Sequence, residues 1–207
     1  MSELLLNSTT AHNVDQREPI VRVEHAALTC GAVECRQYGP GHENFVANTS
    51  SVIWACGRLL PEHLCREPEL VAGKRVCELG AGIGLAGVTA CALGATDVLI
   101  TDCREAMPLL QMNVEQNAGR VRGTLRAQEL LWGDTTRIEA AGRRSYDVLL
   151  GADIVYHQSP EVTVRSPSLL QLACPLRNTH ISSARPVAGR RWQCSSTRSR
   201  RFSLPTA

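Results

Sequence analysis

Hydrophobic and polar positions follow two periods in the middle of this sequence, and segments with the two periods alternate. Mostly apolar runs of strand length lie at 75–79, 97–101, 124–131 and 146–150. Segments with helical character lie between them, at 85–93 and 104–116. The order strand, helix, strand, helix, strand, strand predicts an α/β fold, with an open, largely parallel sheet and helices on its faces. Ligands of such sheets bind beyond the carboxyl ends of the strands.

The segment before this pattern predicts a hairpin and one further helix. Short β-like stretches at 20–23 and 31–35 are typical of two paired strands. Apolar residues at helical spacing predict a helix over 52–64, with Thr49 or Ser50 as its N-cap. Pro61 lies inside that helix and is expected to kink it or to end it early.

After Tyr156 the pattern fails, and the charge changes with it. Residues 1–164 hold 14 basic and 20 acidic side chains, whereas residues 165–207 hold eight arginines and no acid. We therefore expect a disordered N-terminus at 1–19, a domain at 20–164 with the hairpin first, and a basic, disordered tail at 165–207. The tail could make weak contact with nucleic acid by neutralising phosphates.

The remaining composition narrows the class of protein. Nine cysteines form no C-x-x-C pair, so we expect reduced thiols and no metal site. No apolar run reaches the ~18 residues of a membrane span, and the N-terminus lacks the features of a secretory signal. We expect a monomer with no membrane partner, located in the cytoplasm, and a nuclear location is left open.

A glycine-rich run after the first strand of the alternating pattern carries the main chemical signal, and it fits two cofactors. Gly82-x-Gly84-x-x-Gly87 with Asp102 downstream fits a dinucleotide fingerprint. Glu78-x-Gly80-x-Gly82-x-Gly84 fits the version that binds S-adenosylmethionine. In both, glycines let the backbone approach the ligand and an acid accepts ribose hydroxyls. The Glu78 carboxylate favours S-adenosylmethionine, because it would attract an ammonium and a sulfonium and would repel a pyrophosphate.

Residues 50–157 resemble the seven-β-strand methyltransferases, in particular the protein-lysine methyltransferase group called methyltransferase family 16. The resemblance rests on several motifs: Trp54, the run Val76-Cys77-Glu78-Leu79-Gly80-Ala81-Gly82-Ile83-Gly84-Leu85-Ala86-Gly87, Ile100-Thr101-Asp102, Asn113-Val114-Glu115-Gln116-Asn117, Leu131-Trp132-Gly133 and the D-x-x-Y signature Asp153-Ile154-Val155-Tyr156. The glycine motif is shared by many methyltransferases, and its combination with Trp-Gly and D-x-x-Y is more specific.

The resemblance implies roles for the matched positions, with S-adenosylmethionine as the cofactor. It assigns seven residues to cofactor binding: Trp54, Glu78, Gly80, Gly82, Asp102, Trp132 and Ala152. Among them, Glu78 and the glycines would hold the methionine end, Asp102 the ribose and Trp132 the adenine. Asp153 and Tyr156 would form the acceptor side as the catalytic residues. Each aromatic ring could instead be ordinary packing, and Asp153 could instead cap a turn.

Three functions follow from these motifs. The leading one is methyl transfer to a lysine of a protein substrate, with lysine inferred from the D-x-x-Y resemblance alone. The family's later strands are not evident, so the sheet is expected to be truncated after the fourth strand; a catalytically inactive isoform or fragment that acts as a binding module is the second reading. A nicotinamide-dependent oxidoreductase is the third, although the chain has no Tyr-x-x-x-Lys and its only lysine is Lys74.

Overall fold

Strands and helices alternate through the middle of the chain, as the hydrophobic pattern predicts. The computed structural model describes residues 4–5, 14–45, 49–141, 145–154, 182–187 and 191–196. The strands are β1 (Leu4–Leu5), β2 (Ile20–Glu24), β3 (Ala32–Arg36), β4 (Arg75–Leu79), β5 (Asp97–Asp102), β6 (Thr124–Glu129), β7 (Val148–Leu150), β8 (Ser182–Val187) and β9 (Arg191–Ser196). The α-helices are α1 (Ala55–Arg66), α2 (Leu85–Ala92), α3 (Met107–Ala118) and α4 (Thr135–Ala140).

Four parallel strands form the central sheet, in the spatial order β6-β5-β4-β7. The register pairs Leu79 with Thr101 and Asp102 with Glu129, so the carboxyl ends of β4, β5 and β6 lie at one edge. Glu78 pairs with Leu150 at the end of β7. The predicted α/β fold with an open parallel sheet is confirmed, and the residues that follow these strands are brought to the same edge.

Successive side chains of each strand point to opposite faces of the sheet, and both faces are covered by other parts of the chain. On one face, Val76, Val98 and Val148 join the larger core formed with the β2–β3 hairpin, α1, α2 and α3. On the other, a smaller cluster with α4 includes Cys77 and Leu99. Every residue of α2 is buried. Within the described part of the chain, no helix combines the length and the apolar character that crossing a membrane requires.

The hairpin is confirmed, and α1 differs from its prediction at both ends. Strands β2 and β3 pair antiparallel. Helix α1 begins after Trp54, whereas residues Thr49–Ser51 form a separate 3₁₀ turn, so the predicted caps Thr49 and Ser50 were wrong. The helix continues five residues beyond Pro61, so an early end there was also wrong. The Pro61 ring is buried with Leu60 and Leu64, and this packing outweighs the one backbone bond that proline removes.

A second, antiparallel sheet has the order β1-β9-β8. Its strands β8 and β9 lie inside residues 165–207, where the composition predicts a disordered tail, and β1 lies inside 1–19. The sequence predicts no strand there because arginine, serine and proline hide any apolar alternation. The predicted division of the chain at residues 1–19, 20–164 and 165–207 stays a prediction.

Candidate cofactor-binding and active site

The glycine loop between β4 and α2 is a tight turn over which two large side chains pack. Gly80 has φ +60° and Gly82 has φ +56°, in the left-handed region that favours glycine. A Cβ atom placed on Gly80 would lie 3.0 Å from Ile154 Cγ2 and 3.4 Å from Trp132 Cζ2. Residues that follow β4, β6 and β7 therefore meet at one point.

Asp102, the last residue of β5, is tied to this loop. Its Oδ2 accepts a hydrogen bond from Gly82 N at 2.6 Å, and its Oδ1 accepts one from Cys103 N at 2.7 Å. The side chain is only 8% exposed. A carboxylate has about four lone-pair sites, so both oxygens keep the capacity to accept ribose hydroxyls after these two bonds. The contact between Asp102 and Gly82 links the two sequence motifs directly.

Glu78 lies beneath the loop and is directed at the start of α2. The side chain is 3% exposed, and its Oε2 accepts a hydrogen bond from Gly87 N at 2.7 Å. Burial raises the pKa of Glu78 from 4.5 to about 8; the Gly87 N–H lowers it and the Asp102 charge raises it. A carboxyl group so buried and so weakly acidic adds little negative charge to the open face of the loop at pH 7. The charge argument from the sequence is weaker for that reason, and Glu78 holds α2 in place.

Trp132 lies in the segment that follows β6, and Ala152 lies in the segment that follows β7. Trp132 is half-buried and packs against the smaller core cluster. Ala152 is half-buried against the larger cluster, directly after Gly151. Leu131, beside Trp132, is 54% exposed. Trp132 thus borders the glycine loop at Gly80, and the contacts of Trp132 and Ala152 with a cofactor stay a prediction.

The acceptor-side residues are described only in part. Asp153 is half-buried, and its Oδ2 accepts a hydrogen bond from Cys56 N at 2.7 Å. Trp54 immediately precedes α1 and is 45% exposed. Tyr156 lies outside the described residues, so its predicted catalytic role stays a prediction. The D-x-x-Y signature is therefore visible here through its first two residues alone.

Two residues support the loop without having been assigned a role from the sequence. The backbone oxygen of Ser50 lies 3.3 Å from where a Cβ of Gly82 would stand. Asn113 is fully buried; its Nδ2 donates to Ile83 O and to Arg36 O, both at 2.9 Å, and its Oδ1 accepts from Arg36 N at 2.8 Å. Asn113 thus joins β3, α3 and the glycine loop. Its signal in the sequence is the pair of amides Asn113 and Asn117, one helical turn apart on a face that otherwise carries leucine and valine.

A cavity of about 390 Å³ adjoins the loop on the Ser50 side. Its walls include Tyr38, Phe45 and Met112 as apolar surface, and Glu43 and Glu105 as acids. Ligand sites of proteins commonly have volumes of about 300–1,000 Å³. Among the described residues, no group of three or more His, Cys, Asp or Glu side chains could hold a metal ion.

The residues present fit the adenosine part of S-adenosylmethionine. Because Gly80 has no Cβ, Ile154 and Trp132 pack directly over the loop and form an apolar wall beside its backbone. Asp102 offers hydroxyl acceptors at the neighbouring strand end. Nothing in this arrangement requires a metal, and methyl transfer from a sulfonium is a displacement that depends mainly on alignment.

Comparison with known proteins agrees with this geometry. Residues 42–172, more than half of the chain, match the model of a family described as lysine methyltransferase. The chain is 39% identical over 123 residues to protein N-lysine methyltransferase METTL21A of Danio rerio, covering 59% of this chain and 53% of that protein. It is 44% identical over 84 residues to EEF1A lysine methyltransferase 3 of Mus musculus, covering 41% and 34%.

Among solved structures, one from Streptococcus mutans that is described as a SAM-dependent methyltransferase has the same fold, with a TM-score of 0.52 and 14% identity. The match covers 82% of this chain and 42% of that one. The alignments to METTL21A of fish, mouse and frog cover 53%, 62% and 58% of those proteins, so the chain spans little more than half the length of these three relatives. Because the family model matches more than half of the chain, this protein belongs to the lysine methyltransferase family, whose cofactor is S-adenosylmethionine.

Proposed function

We propose that this chain binds S-adenosylmethionine at the carboxyl edge of its parallel sheet and transfers the methyl group to a lysine amine of a protein. One observation carries the proposal: the Asp102 carboxylate bonds to the glycine loop at 2.6 Å, while Trp132 and Ile154 close on Gly80 from the neighbouring strand ends. An acceptor for ribose hydroxyls and an apolar wall thus lie together at the glycine loop.

The chain's own part in such a reaction is binding, alignment and exclusion of water. When bound, S-adenosylmethionine supplies a methyl group on a positively charged sulfur. Asp102 would fix the ribose through hydroxyl hydrogen bonds, and Trp132 with Ile154 would form an apolar wall beside the adenosine part of the cofactor. Fixing two reactants in line removes much of the entropic part of the barrier. The acceptor amine must arrive neutral, because a protonated lysine has no lone pair to attack with.

A protein substrate is supported by the family and by charge. The relatives are named as protein N-lysine methyltransferases, and one is named for lysine methylation of EEF1A. Residues 1–164 carry a net charge of −6, which favours encounter with a basic protein. The exposed ring of Trp54 could receive a cationic or methylated ammonium on its face. We propose the same cytoplasmic location and monomeric state that the sequence suggests.

Calorimetric titration separates this proposal from its two alternatives. Binding of S-adenosylmethionine without binding of NAD is the expected result. Binding of NAD alone would favour the oxidoreductase. Binding of neither would favour a module without catalytic activity.

A matched pair of variants tests the ribose assignment. Asp102→Ala should weaken S-adenosylmethionine binding by about 1–3 kcal/mol, because charge-assisted hydrogen bonds to the hydroxyls are lost. Asp97→Ala is the control: Asp97 lies at the other end of the same strand, where its carboxylate pairs with Arg126 at 3.0 Å. Equal affinities of the two variants would contradict the assignment.

The transfer step needs its own measurement. Tritium-labelled S-adenosylmethionine, incubated with the protein and with either purified EEF1A or a cell extract, should give label on lysine after acid hydrolysis. Label on another amino acid would redirect the acceptor assignment. A chain that binds the cofactor and labels no protein would support the binding-module reading.

A further inference from the structure

Asp153 has an unusual backbone conformation and an unexpected partner. Its φ is +55°, and among the described residues it is the one non-glycine residue with a positive φ. Its Oδ2 accepts from Cys56 N at 2.7 Å and lies 3.4 Å from Gly57 N. Both donors are in the first turn of α1, 97 and 96 residues earlier in the chain. Non-glycine residues in this region cost free energy and cluster where the surrounding structure demands them.

Through this contact the Asp153 side chain caps the N-terminus of α1, although Asp153 lies far from that helix in the sequence. The first N–H groups of a helix have no partner within the helix. Trp54, the residue in the N-cap position of α1, provides no side-chain cap. The Asp153 carboxylate fills that role from the end of β7, and its negative charge also interacts favourably with the helix dipole.

This contact connects two segments that carry residues of the candidate site. Ile154, the next residue, lies against Gly80. Trp54 is the residue immediately before the capped helix. A bond from Asp153 to the first turn of α1 therefore fixes the start of α1, with Trp54, relative to Ile154 and the glycine loop.

We propose that Asp153 is a positioning residue, which caps α1 and thereby fixes Trp54, at the start of that helix, relative to Ile154 at the glycine loop, and that it does not orient the acceptor amine through its charge. This rests on the proposed cofactor site. One oxygen of the carboxylate, Oδ2, is engaged by backbone N–H groups of α1, and this cap needs an acceptor oxygen, which an uncharged amide also offers. The sequence assigned it to the acceptor, because the D-x-x-Y resemblance carries no information on α1.

Three substitutions at this position separate geometry from charge. Asp153→Asn keeps an oxygen that can accept from Cys56 N, tolerates φ +55° and removes the charge. Asp153→Ala removes the cap and is strained at this φ. Asp153→Gly removes the cap without strain. We expect the S-adenosylmethionine Kd of the Asn variant to stay within threefold of the unmodified chain, and that of the other two to rise at least tenfold.

Asp147→Ala distinguishes positioning from a general loss of stability. Asp147 precedes β7 at the opposite end of the strand, and its Oδ2 accepts from Arg75 N at 3.0 Å. Its removal should lower Tm as much as Asp153→Ala does while leaving the Kd for S-adenosylmethionine unchanged. A parallel rise of Kd in both alanine variants would mean that Asp153 acts only on stability, and would overturn the proposal.

Amide hydrogen exchange at Cys56 and Gly57 reports the cap without any ligand. Exchange should accelerate at least tenfold in the Ala and Gly variants and stay near the original rate in the Asn variant.

In the labelling assay with cell extract, the Asn variant should keep at least a third of kcat. A kcat as low in Asp153→Asn as in Asp153→Ala, with slow exchange retained, would assign Asp153 to charge-based catalysis and refute positioning. Failure of the original chain to bind S-adenosylmethionine would contradict the proposed function, and the exchange result would still stand.

Discussion

Replacing Glu78 by glutamine should change how the stability of the protein depends on pH. The carboxyl group is 3% exposed, and its pKa is raised from 4.5 to about 8, first by burial. In the unfolded chain it ionises at its ordinary pKa. Between these two values the folded protein holds a proton that the unfolded chain has released. The free energy of unfolding therefore falls as the pH rises from about 4.5 to about 8, and is level above that range.

The size of the effect follows from the shift. Each unit of pH within this window costs about 1.4 kcal/mol. Between pH 5 and pH 8 the loss from this one group is on the order of 4 kcal/mol, which is a large part of the stability of an ordinary domain. In Glu78→Gln the amide oxygen can still accept from Gly87 N, and nothing ionises. The variant should therefore gain about 4 kcal/mol relative to the original chain over this interval.

Urea unfolding followed by tryptophan fluorescence at half-unit pH steps measures this difference directly. Subtracting the two curves removes the contribution of other titrating groups. Glu115→Gln, an exposed change on α3, is the matched control and should give a constant difference. A Glu78→Gln difference that is also constant between pH 5 and pH 8 would refute the reasoning, since it would mean that Glu78 is ionised in the folded protein at pH 5.

Two further substitutions test the glycine loop and its support. Gly80→Ala should weaken S-adenosylmethionine binding at least tenfold by calorimetry, because the new methyl would press on Ile154 Cγ2 at 3.0 Å; Gly73→Ala has a similar strain at φ +70° with no atom within 4 Å and should leave the Kd unchanged. Asn113→Ala should lower the free energy of unfolding by about 2–3 kcal/mol in urea, because buried polar groups of the loop and of β3 lose their partners. A loss below 0.5 kcal/mol would mean that these groups find other partners.

The sequence predicts the parts of this site that depend on local pattern. Apolar strands followed by glycine or acid can be identified from a few residues, and parallel pairing then brings Gly80 and Asp102 to one edge without further information. The contact between Asp102 and Gly82 follows from that arrangement. The fold class was predictable for the same reason, whereas the glycine pattern left two cofactors open and the choice of S-adenosylmethionine rested on Glu78 and on the resemblance to methyltransferase family 16.

The parts that the sequence missed depend on contacts between distant segments. No local signal links Asp153 to Cys56, which precedes it by 97 residues. The direction of the Glu78 side chain depends on which face of β4 meets α2. Its raised pKa depends on burial, which exists only once the sheet and the helices have assembled. The predicted early end of α1 at Pro61 was wrong because the sequence shows only the loss of a backbone N–H donor at proline. The packing of the Pro61 ring, which offsets that loss, depends on the tertiary structure.

The hydrogen bonds of Asn113 have a consequence for where the functional unit starts. The family model begins at residue 42, after both strands of the hairpin. Yet Arg36 at the end of β3 shares the amide of Asn113 with Ile83 in the glycine loop. The structure that holds the glycine loop in place thus extends beyond the region that family similarity outlines. We infer that residues 20–36 support the proposed cofactor site through Asn113, without any contact with a ligand.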